Sequence, residues 1–345
     1  MNYLYFYLID QGTPVNTNLY GTHPMYMEIR QHIESLSHGV FFLNSNAMNV
    51  HLEPGILTYQ TIGGILDVWI VLGPSPHDVI QQYLSIIGKP HFAPYWELGF
   101  HQCRCGYESI QETSSVAFNY YGLDIPLDTM WNDIDYMDAY RDFTNDPVHY
   151  PLDEYVEFIN YLHDNGQHYV VIVDPGIMVD PNYSAYIDGR DADIFIKQMD
   201  GIQDAIGKVW PGYTSFPDFS NPKTQPYWTQ QIQAFRDTGI KVDGLWIDMN
   251  EISNFCTGNC FPVNTTEFSL EYDPYDNPPF FPTTNSLNTS TISMNTQTYL
   301  GLNYNTHDLY AFYESIGNYQ QQTYNDCILI LFYFSYKSSI RKYNQ

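Results

Sequence analysis

The chain has 345 residues and a formal net charge of −26, because 39 acidic residues outnumber 13 lysines and arginines. This balance excludes nonspecific binding to nucleic acid or to an anionic membrane surface, since both require excess positive charge. A hydrophobic content of 44% excludes an intrinsically disordered chain. The longest apolar run, Cys327–Phe334, is too short for a membrane span and predicts a buried strand or an anomalous tail. The first residues lack a basic stretch and a small-residue cleavage site, so no signal peptide is predicted.

Five cysteines are too few for a disulfide framework in a chain of this length. Cys256 and Cys260 flank a short turn and could pair in an oxidising compartment, whereas Cys103 and Cys105 are too close for an ordinary bridge. Neither pair has the spacing of a zinc site. The acidic stretch Asp273–Asn277 lacks the spacing of an EF-hand, so calcium binding there is only a minor alternative.

The N-terminal quarter of the sequence predicts β structure. Short β-rich runs separated by turn residues occupy positions 24–29, 39–43, 56–59 and 65–72. The pattern then changes to helical spacing over His77–Ile87, where Val79, Tyr83 and Ile86 share one face. The residues Gly88 to Pro90 predict a domain boundary after this part.

From residue 91 onward, apolar strands alternate with amphipathic helices. Strands are predicted over Trp96–His101, Thr129–Tyr136, His168–Asp174 and Val242–Met249. One helix is predicted to follow the first strand to about Tyr121, where Gly122 stops it, and two more over Leu152–Asp164, with Gly166 as C-cap, and Gln225–Thr238. Repeated strand–helix units with buried strands predict an α/β domain with a parallel sheet. Four such strands fit either the first half of a (β/α)8 barrel or a doubly wound sheet.

Acidic residues follow three successive strands of this series. Asp133 ends the second strand, Asp174 ends the third, and Asp248 with Glu251 ends the fourth. A single aspartate at such a place is most often a helix N-cap or a turn residue. A barrel, however, places its chemistry at the C-terminal ends of its strands, so three acids in this position indicate a common pocket.

Several segments resemble glycoside hydrolase family 31, and the resemblance extends from about Asp10 to Leu309. They are Pro94–His101, Trp131–Tyr136, Lys208–Gly212 and, most specifically, Gly244–Phe255 with the sequence GLWIDMNEISNF. The α-glucosidases of this family are retaining enzymes that release terminal α-1,4-linked glucose from maltose-like and starch-like oligosaccharides. Related members act on isomaltose, sucrose, xylosides or the substrates of glycan trimming, and some are lyases.

The resemblance also implies roles for individual residues. Asp248 corresponds to the nucleophile, and Glu251 to a supporting acid beside it. Further positions correspond to the family's substrate-binding residues: Asp10, Asp133, Ile172, Trp210, Trp246 and Met249. Cys256 and Cys260 correspond to cysteines that close a small loop in fungal-type members. The family requires no organic cofactor and no metal.

Two departures from the family pattern affect these expectations. Cys105 stands where relatives carry an aromatic residue of the pocket. The acid/base aspartate, with an arginine and a histidine, normally comes about a hundred residues after the nucleophile, but the match ends by Asp326. We therefore expect a truncated chain with impaired activity on natural glucosides.

The predicted organisation has three parts. Residues 1–88 form the end of a galactose-mutarotase-like β-sandwich, residues 89–326 form an incomplete (β/α)8 TIM barrel with a loop insertion at about 255–300, and residues 327–345 are an unassigned tail. The predicted function is a retaining α-glucosidase-type hydrolase with an α-glucoside oligosaccharide as its partner. The alternative is a non-catalytic carbohydrate-binding or inert product. The acidic balance fits an extracellular, vacuolar or lysosomal protein.

Overall fold

In the computed structural model, the described parts of the chain are residues 2–6, 23–30, 36–260, 273–282 and 286–325. The predicted positions Asp10 and Cys327–Phe334 lie outside these described residues. No helix within the described ranges is long and apolar enough to cross a membrane.

The N-terminal part contains two antiparallel sheets. Its elements are β1 (Asn2–Phe6), β2 (Met25–Arg30), β3 (Leu36–Phe42), β4 (Met48–Glu53), β5 (Ile56–Thr61), β6 (Val68–Val71) and α1 (Pro76–Ile87). One sheet has the order β1-β4-β5 and the other β2-β3-β6. The predicted β runs are confirmed, whereas β1 and β4 were not singled out, although Met48–Glu53 alternates apolar and polar residues.

Helix α1 confirms the predicted switch to helical spacing. Ser75 caps its first turn by accepting a bond from the Asp78 N–H, and the Asp78 carboxylate accepts the Ser75 N–H in return. The buried face of the helix carries Tyr83, which packs edge-on against Phe41 of the β2-β3-β6 sheet at 5.2 Å between ring centroids. This sheet therefore has one covered face.

The second part is built from strand–helix units. Its elements are β7 (His101–Gln102), α2 (Ile110–Gly122), β8 (Thr129–Asn132), α3 (Leu152–Asp164), β9 (His168–Val173), β10 (Ile177–Met178), α4 (Ser184–Ala192), β11 (Ile206–Val209), β12 (Gly212–Ser215), α5 (Thr224–Asp237), β13 (Gly244–Ile247), β14 (Gln297–Thr298), β15 (Gly301–Leu302), α6 (Asn303–Thr306) and α7 (Tyr310–Asn325). Strands β7, β8, β9 and β13 form one parallel sheet in that order.

The sequential strand order decides between the two predicted architectures. A doubly wound sheet reverses its strand order at a switch point, whereas a barrel adds each strand beside the previous one. The described strands therefore form half of a (β/α)8 barrel. Strands β10, β11 and β12 form a small antiparallel sheet inserted between β9 and α5.

The boundaries of two predicted strands are wrong. Residues 95–98 form a 3-10 turn that begins after Pro94, and the first barrel strand is only His101–Gln102. The chain is bent there because the Asp128 carboxylate accepts the Phe100 N–H at 2.7 Å. The second strand ends at Asn132, since the Asp133 carboxylate accepts the next N–H and starts another 3-10 turn.

The predicted helix Leu152–Asp164 is confirmed at both ends. The C-cap residue is Asn165, and Gly166 follows it with a positive φ of 70° while its N–H binds the carbonyl of His163. The helix packs its buried face on β9, where Val170 and Val171 are fully buried. Strands covered on both faces are characteristic of parallel sheets.

Hydrogen bonds between side chains join the helices to this sheet. Asn132 of β8 donates to the hydroxyls of Thr113 on α2 and Tyr150, at 3.0 and 2.8 Å, and accepts a bond from Tyr169 at 2.6 Å. All four side chains are buried. This network fixes the strand that leads directly to Asp133.

Candidate active site

The three predicted strand-end acids lie close together. Asp133 is half-buried, and desolvation raises its pKa, with smaller contributions from Asp135 and Asp248. Asp174 is buried, and its pKa lies well above the ordinary value, mainly because of desolvation and then because of Asp142, Asp248 and Asp133. Acids from β8, β9 and β13 therefore share one electrostatic environment.

The segment after β13 makes a tight turn. Asp248 is half-buried, while Met249 is buried and adopts a left-handed backbone with φ 55°. Asn250 and Glu251 follow and are both buried. The turn begins directly after Asp248, so this residue lies at the C-terminal end of β13 and not in a helix.

Indole rings and sulfur flank this turn. Trp246 on β13 lies 5.8 Å from Trp131 on β8, measured between ring centroids, and is in register with Ile172 on β9. Trp210 forms the hairpin between β11 and β12, and its indole N–H donates to the Met249 sulfur at 2.9 Å. The structure thus brings together the candidate residues Trp210, Trp246 and Met249 beside Asp248, whereas Ile172 is buried in the sheet.

Phe255 is an aromatic neighbour that the sequence did not single out. Its ring packs edge-on against Trp210 at 4.9 Å, and half of each side chain is exposed. The Phe255 N–H donates to the carbonyl of Lys208, so the loop after the nucleophile segment adds to the edge of β11. The sequence indication for Phe255 was an aromatic residue a few positions after the strand-end acids Asp248 and Glu251.

A disulfide joins Cys256 and Cys260 with a Cα–Cα distance of 5.9 Å. The Cys260 N–H donates to the carbonyl of Ile206 at 2.7 Å, so the closed loop is bound to the same strand as Phe255. The loop, the hairpin and the turn at Met249 therefore form one connected rim.

Two thiols occupy the end of the first barrel strand. Desolvation, together with Asp133 and Asp135, raises the pKa of Cys103 to about 12, and the same causes raise the pKa of Cys105. The Asp135 carboxylate also accepts the N–H of Gly106 at 2.7 Å. These contacts place the Cys-Arg-Cys segment beside the candidate acid Asp133.

Two buried acids of this region were missed by the sequence analysis. Asp142 accepts the Asp174 N–H at 2.9 Å, and burial raises its pKa well above the ordinary value. Glu314 accepts a bond from the Asn250 amide at 2.9 Å. Glu314 lies on the buried stripe of α7 with Tyr310 and Ala311, so an acid on an apolar helical stripe was the available indication.

Other acidic stretches have structural partners. Asp273 accepts the N–H of Tyr275, and Asp276 accepts bonds from Ser293 and Asn288. Within the ranges that the structure describes, no group of three or more His, Cys, Asp or Glu side chains is arranged to hold a metal ion.

The half-barrel brings carboxyl groups and indole rings together at the ends of its strands, where barrel enzymes carry their chemistry. The chain belongs to glycosyl hydrolases family 31, because the family model of the TIM-barrel domain matches residues 90–331.

Curated relatives agree with this assignment. A probable alpha-glucosidase of Oryza sativa subsp. japonica is 43% identical over 309 residues, which are 87% of this chain and 33% of the relative. Alpha-xylosidase 1 of Arabidopsis thaliana is 47% identical over 71% of this chain, and lysosomal alpha-glucosidase of Mus musculus is 42% identical over 90%. These alignments cover 27% and 32% of the two relatives, so the chain spans about a third of their length.

Solved structures show the same fold. The catalytic-subunit complex of ER glucosidase II superposes with a TM-score of 0.77 at 23% identity, covering 93% of this chain and 33% of that one. A family 31 alpha-glucosidase from Bacteroides thetaiotaomicron gives a TM-score of 0.64 at 31% identity, covering 75% of this chain and 43% of that one.

Proposed function

We propose that this chain carries the nucleophile side of a retaining α-glucosidase-type site, which hydrolyses terminal α-1,4-linked glucose from maltose-like oligosaccharides. The observation that carries the proposal is the position of Asp248. It is half-buried at the end of β13, precedes a fixed turn, and lies beside Trp246 and the Trp210–Met249 pair. A retaining mechanism requires such a carboxylate to form a glycosyl ester.

The neighbouring residues have distinct proposed roles. Asp133, half-buried at the end of β8, would bind sugar hydroxyls. Trp246, Trp210 and Met249 would form the wall around the sugar ring, with Ile172 supporting it from β9. Glu251 would support the charge arrangement beside the nucleophile, and Asp10, outside the described residues, would complete the subsite. A low-dielectric wall strengthens electrostatic stabilisation of a positively charged sugar ring.

Names of the relatives support the substrate class and the compartment. They include alpha-glucosidases, an alpha-xylosidase and lysosomal enzymes. We infer an α-glucoside oligosaccharide as the partner and an extracellular, vacuolar or lysosomal location. The high acidic content fits such a compartment, because a negatively charged surface favours solubility.

A mechanism-based label tests the nucleophile without requiring a general acid. The chain is incubated with a 5-fluoro-α-glucosyl fluoride, whose fluoride leaves without protonation. Protonation of an ordinary leaving group contributes about 10²–10⁴-fold to the rate, so the label isolates the nucleophilic step. Peptide mass spectrometry should find the adduct on Asp248.

Two variants serve as controls. Asp248→Asn should give no adduct, and Asp67→Asn, in the N-terminal part, should be labelled as the wild type is. A folded chain that is never labelled contradicts the proposed nucleophile. Quenching of tryptophan fluorescence by glucose-type ligands without any adduct would favour the non-catalytic carbohydrate-binding alternative.

A further inference from the structure

A buried glutamate on the last described helix binds the segment that follows the candidate nucleophile. Glu314 on α7 is fully buried, and its Oε2 accepts a hydrogen bond from the Asn250 amide at 2.9 Å. Asn250 is itself buried and lies two residues after Asp248. The bond therefore spans 64 residues of sequence and joins α7 to the end of β13.

The segment that Glu314 binds has an unfavourable backbone conformation. Met249, between Asp248 and Asn250, has a positive φ of 55°, a region that side chains other than glycine rarely adopt. Such residues persist only where the surrounding structure holds them. Three contacts do so here: Asn250 with Glu314, the Met249 sulfur with the Trp210 indole, and the Met249 carbonyl with the Ser253 N–H.

The surroundings of Glu314 favour the protonated form of its carboxyl group. Desolvation raises its pKa well above the ordinary value; the Asn250 hydrogen bond lowers the pKa by a smaller amount, and Asp142, Asp248 and Glu251 each raise it slightly. Asp174 and Tyr310 also interact with it electrostatically. Two further titratable residues, His307 and Asp308, lie on the short 3-10 helix that directly precedes α7. A neutral carboxyl can still accept the Asn250 amide through its carbonyl oxygen.

We propose that Glu314 is a positioning residue of the site: through Asn250 it holds the left-handed turn at Met249 and so fixes the direction of the Asp248 carboxylate. The inference rests on the proposed role of Asp248 as nucleophile. Glu314 itself acts through Asn250. An ordinary core residue at this position would affect stability alone, whereas a positioning residue also affects the chemical step.

The first test separates binding from chemistry with the glycosyl fluoride label. A misplaced reacting group can lose about 10²-fold in rate, so Glu314→Leu should lower the maximal labelling rate about 10- to 100-fold. The label concentration at half-maximal rate should change much less. Glu314→Gln preserves a neutral acceptor and should retain most of the rate.

The pH profile gives a second readout. In the wild type, ionisation of Glu314 as the pH rises through its raised pKa would add a negative charge near Asp248 and disturb the turn, so labelling should decline. Glu314→Gln cannot ionise, and its profile should decline less as the pH rises. A Glu314→Gln profile identical to that of the wild type would overturn a role for the protonated carboxyl group.

Hydrogen–deuterium exchange tests the turn without any activity. In Glu314→Leu, exchange should accelerate in a peptide covering residues 246–254 but not in a peptide from α3. Asp276→Leu is the matched control, because it removes another buried acid whose pKa is raised by burial. It should lower stability without accelerating exchange at residues 246–254.

The outcomes distinguish this inference from the proposed function. If the wild type is never labelled, the nucleophile proposal fails, yet localised exchange in Glu314→Leu would still show that Glu314 holds the turn. Unchanged exchange and an unchanged labelling rate in a folded Glu314→Leu chain would overturn the inference. If that variant does not fold, Asn250→Ala replaces it, with the same expected loss of labelling and the same local exchange.

Discussion

The two sheet systems of this chain differ in where they place polar and apolar groups. In the antiparallel N-terminal sheets, apolar side chains such as Ile70 are 63% exposed on one face. In the parallel sheet, Val170 and Val171 are fully buried by helices, and the acids gather where the strands end. A strand covered on both faces is mostly apolar along its length, and a polar residue such as Asn132 needs buried hydrogen-bond partners there. The chemistry of the parallel part therefore collects at the strand ends.

The largest expected difference between the two regions concerns their cores. Trp228 on α5 is fully buried against Phe143 and Phe219, so Trp228→Ala should destabilise the chain by about 3–5 kcal/mol. Ile70→Ser should change the free energy of unfolding by about 0.5 kcal/mol or less, because that side chain is mostly exposed. Denaturant unfolding measures the free energy of unfolding of both variants. Comparable decreases for Trp228→Ala and Ile70→Ser would contradict the expected difference between the two regions.

Buried asparagines provide a finer contrast. Asn132→Leu removes the hydrogen bonds that Asn132 makes with the hydroxyls of Tyr169 and Tyr150. This should lower the free energy of unfolding by about 1–3 kcal/mol. Asn49→Leu on β4 should be nearly neutral, since Asn49 makes one long bond of 3.4 Å to Gln60. Equal losses in urea unfolding would show that the network around Asn132 has no special role.

The pH dependence of stability should have opposite signs for two buried acids of the parallel part and for the helix-capping acid Asp78 of the N-terminal part. The raised pKa values of Asp142 and Asp174 mean that the folded chain retains protons that the unfolded chain has lost above about pH 3.8. Stability therefore falls as pH rises from there, by at most about 1.4 kcal/mol per unit for each proton. Asp78 has a lowered pKa because of Ser75, so its contribution is present above pH 3.8 and is lost as pH falls.

Unfolding of the variants across a pH series measures these signs. Asp174→Asn should flatten the decline toward neutral pH, and Asp78→Asn should remove a gain that appears above pH 3.8. A decline of unchanged slope in Asp174→Asn would contradict the assignment of the retained proton to the Asp142–Asp174 pair.

The last contrast concerns the two thiols at the strand ends, where the effect is on chemical reactivity and not on stability. With a pKa of about 12, Cys103 holds about a thousandfold less thiolate than an ordinary cysteine near neutral pH, so iodoacetamide should react slowly. Asp135→Asn should accelerate the alkylation of Cys103 and Cys105, while Asp67→Asn should not. Time-resolved peptide mass spectrometry measures each rate; alkylation of Cys103 as fast as that of free cysteine would contradict the raised pKa.

Local patterns predicted the elements better than they predicted the site. The α3 helix was correct at both ends because its apolar stripe and Gly166 are properties of adjacent residues. The strand predicted over Trp96–His101 failed, since the bend there depends on Asp128, a residue distant in sequence.

The candidate site shows the same division. Its strand-end acids follow from the alternation of strands and helices, and so the sequence pattern located Asp133, Asp174 and Asp248. Asp142 owes its environment to burial by other elements, which no local pattern records, whereas Glu314 lies on an apolar stripe of α7 that the sequence analysis did not use. Both acids are buried by tertiary contacts and interact electrostatically with the strand-end acids.

The left-handed backbone at Met249 has a consequence for how this position can evolve. Glycine would adopt that backbone without strain, a relief of about 1–3 kcal/mol, but it would remove the sulfur that receives the Trp210 indole. Truncating a buried methionine costs about 2–5 kcal/mol, so the packed side chain outweighs the strain that it carries. Any replacement at Met249 must therefore fill the same buried volume and also adopt a left-handed backbone.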